Sequence, residues 1–331
     1  MIEHGGKLRT ASERWGIPLG DWLDLSTGIA PWSYPVPPIP AECWQRLPEE
    51  DDGLEAAACA YYGVSHLLPL PGSQAAIQAL PRLRCKRHGA GIAAVLNPAY
   101  GEYAPAWKAA GHELRPFAAD ALMQAADSAD VVMLANPNNP DGRRFSADDL
   151  LEAARRLHLR EGWLIVDEAF GDGETSPCLA PFAGTKAAPN LLVLRSVGKF
   201  FGLAGARVGF CVATESLLAD LHELIGPWAV PHPARFAVQA ALADTAWQAA
   251  QRLRLQEAGT RLASLLKQRG WGEPAGTGLF QTIFTPDAES IYEYFAQQGI
   301  LLRHFPQWSA LRFGLPADEA GWARLARARA A

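Results

Sequence analysis

Lys199 is one of only six lysines in the chain, against 24 arginines, and its surroundings could do chemistry. The run Leu194-Arg195-Ser196-Val197-Gly198-Lys199-Phe200-Phe201-Gly202 reads as a buried strand ending in Ser196, then a short turn carrying the lysine, with Gly205 leading on to Arg207. A lysine among apolar walls and near a second cation gives up its proton and can form a Schiff base with an aldehyde. Ser196 and Arg207, three residues before it and eight after, are donors suited to a phosphate ester. The plainer reading is a Gly-rich connection with a solvated lysine. Asp167 lies 32 residues upstream, in Val166-Asp167-Glu168-Ala169-Phe170, at the end of another apolar run. A carboxylate there either caps the next loop or holds a pyridine nitrogen protonated, which makes the ring a better electron sink. Strand alternation turns Glu168 the other way, so it is expected to be structural.

Three further pieces follow strands in the same manner. Asn136-Pro137-Asn138-Asn139-Pro140-Asp141-Gly142 is a tight loop whose amide could also donate to a phenolate oxygen. Pro71-Gly72-Ser73-Gln74-Ala75 is a turn that opens a helix, and free N–H groups at a helix start attract anions. Asn97-Pro98-Ala99-Tyr100-Gly101-Glu102-Tyr103 brings an aromatic ring to the same sheet edge.

The elements that must position these residues show in the hydropathy pattern. Apolar runs at 92–96, 131–135, 163–166, 191–194 and 208–212 read as strands buried on both faces, as in a mostly parallel sheet. Helices are expected over 73–80, 147–159 and 215–224, the second begun by Ser146 and Asp149 at capping-box spacing. Alternating strand and helix predicts an α/β sheet. Past Gly226-Pro227 the pattern predicts one long helix over 233–268, strands at 279–285, 300–304 and 311–315, a helix near 288–298 and a final helix, which together make an α+β lobe. Pro31–Pro40 reads as an extended arm between lobes.

In combination and in this order, the five pieces resemble the fold-type I pyridoxal-phosphate family of aspartate-aminotransferase architecture. The resemblance implies a large α/β domain over 43–228, a small α+β domain over 229–331, and an arm over 1–42 that joins the small domain. It implies that Lys199 carries pyridoxal 5′-phosphate and that Asp167 pairs with its pyridine nitrogen. Asn139 bonds the ring O3′, Tyr100 stacks on the ring, and Gly72, Ser73, Ser196 and Arg207 hold the phosphate, with Gln74 and Phe170 also at the cofactor. Arg312, in Leu311-Arg312-Phe313-Gly314, matches the arginine that clamps a substrate α-carboxylate.

Three features resemble one branch, the L-threonine-O-3-phosphate decarboxylases of cobalamin biosynthesis, which are close to histidinol-phosphate aminotransferases. These are His4-Gly5-Gly6 followed by Asp24-Leu25-Ser26-Thr27-Gly28-Ile29-Ala30-Pro31, the Pro71–Ala75 turn, and Asp141 after Asn139-Pro140. Phe170 also fits, since histidinol-phosphate enzymes usually carry a tyrosine there. The branch implies decarboxylation of a small phosphorylated amino acid, with a histidinol-phosphate-type aminotransferase as the alternative. His4, Gly28, Asn139, Arg303 and Arg312 are its substrate-binding candidates. Arg303 is either the anchor for the distal phosphate or a surface side chain on an edge strand; His4 either folds over the site or lies in a frayed terminus. Related enzymes carry asparagine at Ala30 and tyrosine at Leu47; Tyr61 or Tyr62 could replace the latter. The resemblance also implies a homodimer.

Composition sets bounds on the rest. Net charge is −5, with 30 basic and 35 acidic side chains, so no basic surplus favours nucleic acid. No apolar run approaches a membrane span, and Met1–Lys7 does not read as a signal peptide. Five scattered cysteines without a CxxC pair fit reduced thiols in a cytoplasm, and the eight histidines show no metal-binding spacing, so no metal is expected. A non-catalytic cofactor-binding sensor would need a DNA-binding domain ahead of the fold, for which the residues before Trp22 leave no room.

Overall fold

The computed structural model describes residues 4–174 and 178–328. Among the described residues, thirteen strands are β1 Leu23–Asp24, β2 Leu68–Leu70, β3 Ile92–Leu96, β4 Glu113–Phe117, β5 Val131–Ala135, β6 Trp163–Asp167, β7 Leu191–Ser196, β8 Gly209–Val212, β9 Ala275–Thr277, β10 Phe280–Phe284, β11 Ile300–Leu301, β12 Arg303–Phe305 and β13 Ala310–Gly314. Seven form one sheet in the order β2-β8-β7-β6-β5-β3-β4. All its pairings are parallel except those of β8, which runs against both β7 and β2. The mostly parallel α/β sheet expected from the apolar runs is therefore present, with β5 and β6 buried at every position.

Two shorter sheets lie nearer the chain ends. One is antiparallel, in the order β12-β13-β10-β9, and the other pairs β1 with β11 in parallel, Leu23 opposite Ile300. A single core extends from Val166 and Phe210 in the large sheet to Phe280 and Phe313 in the small one. The arm over 31–40 has no regular helix or strand, and it is tied to the lysine turn: Ala30 N–H donates to Lys199 O at 3.0 Å and Tyr34 N–H to Phe201 O at 2.9 Å.

Five elements differ from expectation. The helix that begins at Ser73 does not end before Pro81 but runs to His88. Proline removes one backbone donor, and burial of Leu80, Pro81, Leu83 and Arg84 outweighs that loss. The helix expected over 233–268 is two, His232–Ala243 and Thr245–Lys267. Asp244 separates them and accepts from Trp247 N–H as an N-cap. The strand expected over 300–304 divides at Leu302, because Ile300–Leu301 joins β1 while Arg303–Phe305 joins β13. Edge strands β2 and β4 carry no long apolar run; β4 exposes Glu113, Arg115 and Pro116. The cap at Ser146 forms as expected, its Oγ accepting from Asp149 N–H at 3.0 Å.

Candidate active site

The carboxyl ends of β3, β5, β6 and β7 lie side by side, the edge at which open α/β sheets bind ligands. Over them opens a cavity of about 780 Å³. Every site residue singled out above lines it: His4, Gly28, Gly72, Ser73, Gln74, Tyr100, Asn139, Asp167, Phe170, Ser196, Lys199, Arg207, Arg303 and Arg312. They come from the large sheet, the N-terminal arm and the small sheet.

Asp167 ends β6 and is 5% exposed. Its Oδ1 accepts from Ala169 N–H at 2.9 Å and its Oδ2 from the Tyr103 hydroxyl at 2.8 Å. Burial pushes its pKa up, opposed by those two donors and by the positive charge of Lys199. Lys199 is half-buried and opens onto the cavity, its Nζ 5.6 Å from the centre of the Phe170 ring. Burial, then repulsion from Arg312 and Arg207, lowers its pKa to about 8 against the pull of Asp167. The amine is thus partly neutral near physiological pH, the state a nucleophile needs.

Alternation along β6 and β7 sends Glu168 and Arg195 away from the cavity, and they meet behind it. Arg195 Nη1 lies 2.5 Å from Glu168 Oε2, Nη2 pairs with Asp172, and all three side chains are buried. Glu168 also accepts from Leu179 N–H at 2.8 Å, so its structural role is as expected. Replacing Arg195 with methionine strands two buried carboxylates and should lower unfolding free energy by about 3–5 kcal/mol in urea titrations. A change below about 1 kcal/mol would mean the cluster does not hold the strand ends together.

Phosphate-type donors gather at the start of the Ser73–His88 helix. Gly72 has φ +78°, and a Cβ there would come within 2.8 Å of Arg207 Nη2, so the guanidinium lies directly against glycine backbone. Arg207 itself takes a left-handed φ of 53°, uncommon for a residue with a side chain. Ser196 ends β7 beside them.

At the cavity's other side, antiparallel register sets Arg303 directly opposite Arg312. Arg312 is 7% exposed; its Nη1 donates to Asn139 Oδ1 at 2.6 Å and its Nη2 to Ser26 O at 3.1 Å. Among the described residues it has no carboxylate within ion-pairing distance, and its buried Nε lacks a hydrogen-bond partner. Burial and then repulsion from Arg303 pull its pKa down. A buried cation so placed is suited to an incoming anion. The bond to Asn139 Oδ1 also leaves that side chain's NH₂ free to face a second acceptor.

His4 is not frayed away from the site. Its Nε2 lies 2.7 Å from Glu102 Oε1, and Gly6 N–H donates to Ser26 Oγ at 2.7 Å. Gly5 permits this docking, since a Cβ there would fall 2.3 Å from Ser26 O. Glu102, which the sequence left without a role, also accepts from Gln74 and Gln78. Tyr61 and Tyr62, the candidates to replace the hydroxyl that Leu47 lacks, make contacts within this chain. Tyr62 is buried under Arg195, and the Tyr61 hydroxyl takes Arg252 Nη2 at 3.2 Å, whereas Leu47 is 60% exposed. Tyr103 is the main omission. It was visible three residues after Tyr100, but nothing in the sequence ties it to Asp167.

These residues fit pyridoxal phosphate in their donor set. An amine of lowered pKa, a buried carboxylate, an amide with a free NH₂ and a glycine–arginine cradle match, in turn, its aldehyde, ring nitrogen, phenolic oxygen and phosphate. The five cysteines are free thiols, and no described helix is long and apolar enough to cross a membrane.

Comparison with known proteins agrees with this chemistry. The model of the aminotransferase class I and II family matches residues 48–328. The chain is 52% identical over 325 residues to a threonine-phosphate decarboxylase of Pseudomonas aeruginosa, covering 98% of this chain and 96% of that protein. It is 42% identical over 338 residues to one from a Sinorhizobium species, covering 99% and 98%. Among solved structures, the histidinol-phosphate aminotransferase from Sinorhizobium meliloti in complex with pyridoxal-5′-phosphate is similar with a TM-score of 0.81, covering 99% of this chain and 97% of that one. At 20% identity that likeness is one of fold.

Proposed function

The chain belongs to the aminotransferase class I and II family, and on that premise we propose that it decarboxylates L-threonine O-3-phosphate to (R)-1-amino-2-propanol O-2-phosphate. The cofactor is pyridoxal 5′-phosphate, which when bound supplies an electron sink for the pair released as the Cα–carboxylate bond breaks. One observation carries the choice of substrate: Arg303 and Arg312 face each other across paired strands and both line the cavity. Like charges directly opposite in a sheet are unfavourable. A substrate with a carboxylate at one end and a phosphate at the other relieves that repulsion, and the two relatives named above are threonine-phosphate decarboxylases.

In this reading Lys199 holds the cofactor and Asp167 keeps its ring nitrogen protonated, while Asn139 donates to its phenolic oxygen. Gly72, Ser73, Ser196 and Arg207 hold its phosphate, with Gln74, Tyr100 and Phe170 against it. Arg312 takes the substrate carboxylate, and Arg303, assisted by His4 and with Gly28 close by, takes the distal phosphate. Anchoring both ends would fix the torsion about Cα and thereby which of its bonds breaks, the cofactor supplying the electron sink. Once the substrate has displaced it from the cofactor, Lys199 would be the group that returns a proton to Cα. A place in cobalamin biosynthesis, a cytoplasmic location and a homodimer belong to the same proposal. Trp44, Leu47 and Trp228, each at least 60% accessible, are large apolar side chains that a second copy would cover. The division at residues 43 and 229 is supported by the large sheet lying within 68–212 and the antiparallel sheet within 275–314.

Purified protein loaded with the cofactor and given L-threonine O-3-phosphate should release one CO₂ per substrate, with no 2-oxo acid required. Absence of CO₂, together with pyridoxamine phosphate that 2-oxoglutarate consumes, would replace the decarboxylase with an aminotransferase.

A further inference from the structure

Tyr103 is 1% exposed and opens the helix Tyr103–Ala109, directly after the loop that carries Tyr100. Its ring meets Tyr100 edge-on, with centroids 5.4 Å apart. A phenylalanine would make that contact equally well and would bury no hydroxyl. A buried hydroxyl is costly unless it is bonded, and this one donates to Asp167 Oδ2 at 2.8 Å. Asp167 Oδ1 takes a backbone N–H, so the tyrosine is the side-chain donor that fixes the second oxygen. We propose that Tyr103 is a positioning residue for the cofactor: by donating to Asp167 Oδ2 it holds that carboxylate ionised and aimed so that the pyridine nitrogen stays protonated.

The surrounding charges agree with this role. Burial favours neutral Asp167, Lys199 is the facing cation, and Arg195, which lies behind, is already paired with Glu168 and Asp172. Without the phenol, the Ala169 N–H and the positive charges of Lys199 and Arg195 remain to stabilise the anion against burial. A ring nitrogen bonded to Asp167 would then lose its proton to the carboxylate more readily. The electron sink weakens while the substrate contacts at Arg303 and Arg312 are untouched.

The inference rests on the ring nitrogen lying at Asp167, and the experiment separates the two claims. Holoenzyme is loaded with cofactor ¹⁵N-labelled at the pyridine nitrogen, and its ¹⁵N resonance is recorded. In Tyr103→Phe it should move toward the unprotonated position, with kcat about tenfold lower and KM within about twofold. Incorporation of 3-fluorotyrosine at position 103, a stronger donor of nearly the same shape, should move it the opposite way and decides the matter if the phenylalanine variant does not fold. A resonance that neither replacement moves would overturn the role of Tyr103. A resonance that does not respond to Asp167→Asn either would overturn the placement of the cofactor itself.

Discussion

Replacing Lys199 with alanine should lower kcat by about 10⁴-fold, equivalent to about 5.5 kcal/mol of barrier. Two losses combine in that figure. On the proposed roles, the alanine variant lacks the amine that attaches the cofactor and the group that returns a proton to Cα. After borohydride reduction, wild-type protein should keep the cofactor's mass on the chain and the variant should not. The rate at which the cofactor-free wild-type protein takes up pyridoxal phosphate should rise with pH and level off above about 8. The sign follows from burial and the neighbouring Arg312 and Arg207, which favour the neutral amine. An unperturbed lysine would still be gaining reactivity beyond about pH 10. A variant within about tenfold of wild type would remove Lys199 from the chemistry.

Replacing Arg312 with alanine should lower kcat/KM for L-threonine O-3-phosphate by about 10³-fold, while cofactor affinity changes by less than about tenfold. Lysine should rescue little of this loss. Arg312 already spends Nη1 on Asn139 and Nη2 on Ser26 O, so its grip depends on a planar fork that an ammonium cannot copy. The bond to Asn139 also couples the two sites, since removing the guanidinium frees the amide to turn. A variant in which cofactor affinity collapses and substrate binding survives would assign Arg312 to the cofactor instead.

The large sheet was legible because strands buried on both faces must be apolar throughout, and β5 and β6 are. β4 was not, because an edge strand with Glu113 and Arg115 toward water has the composition of a loop. Residues 233–268 read as one helix because Ala, Leu, Gln and Arg favour helix on either side of Asp244, and a single cap residue decides the break. The site was legible in its outline because each piece stands just past a strand, and parallel strands deliver their carboxyl ends to one edge. Contacts made through tertiary packing were out of reach. The pairs His4 with Glu102 and Tyr103 with Asp167 join residues 98 and 64 positions apart, and no periodicity records such distances.

Parallel pairing of Leu23 with Ile300 sets a schedule for synthesis as well as a shape. Leu23 is synthesised long before Ile300, so β1 has no partner until that residue emerges. Closing so long a loop is entropically costly until the surrounding core is in place to offset it. Lys199, Asp167 and the Gly72 turn are made early and can settle with the large sheet, yet Arg303 and Arg312 emerge only after residue 300. A chain not yet extended to residue 300 would therefore hold the amine of Lys199 without Arg303 and Arg312, the proposed substrate anchors, and competence would arrive late.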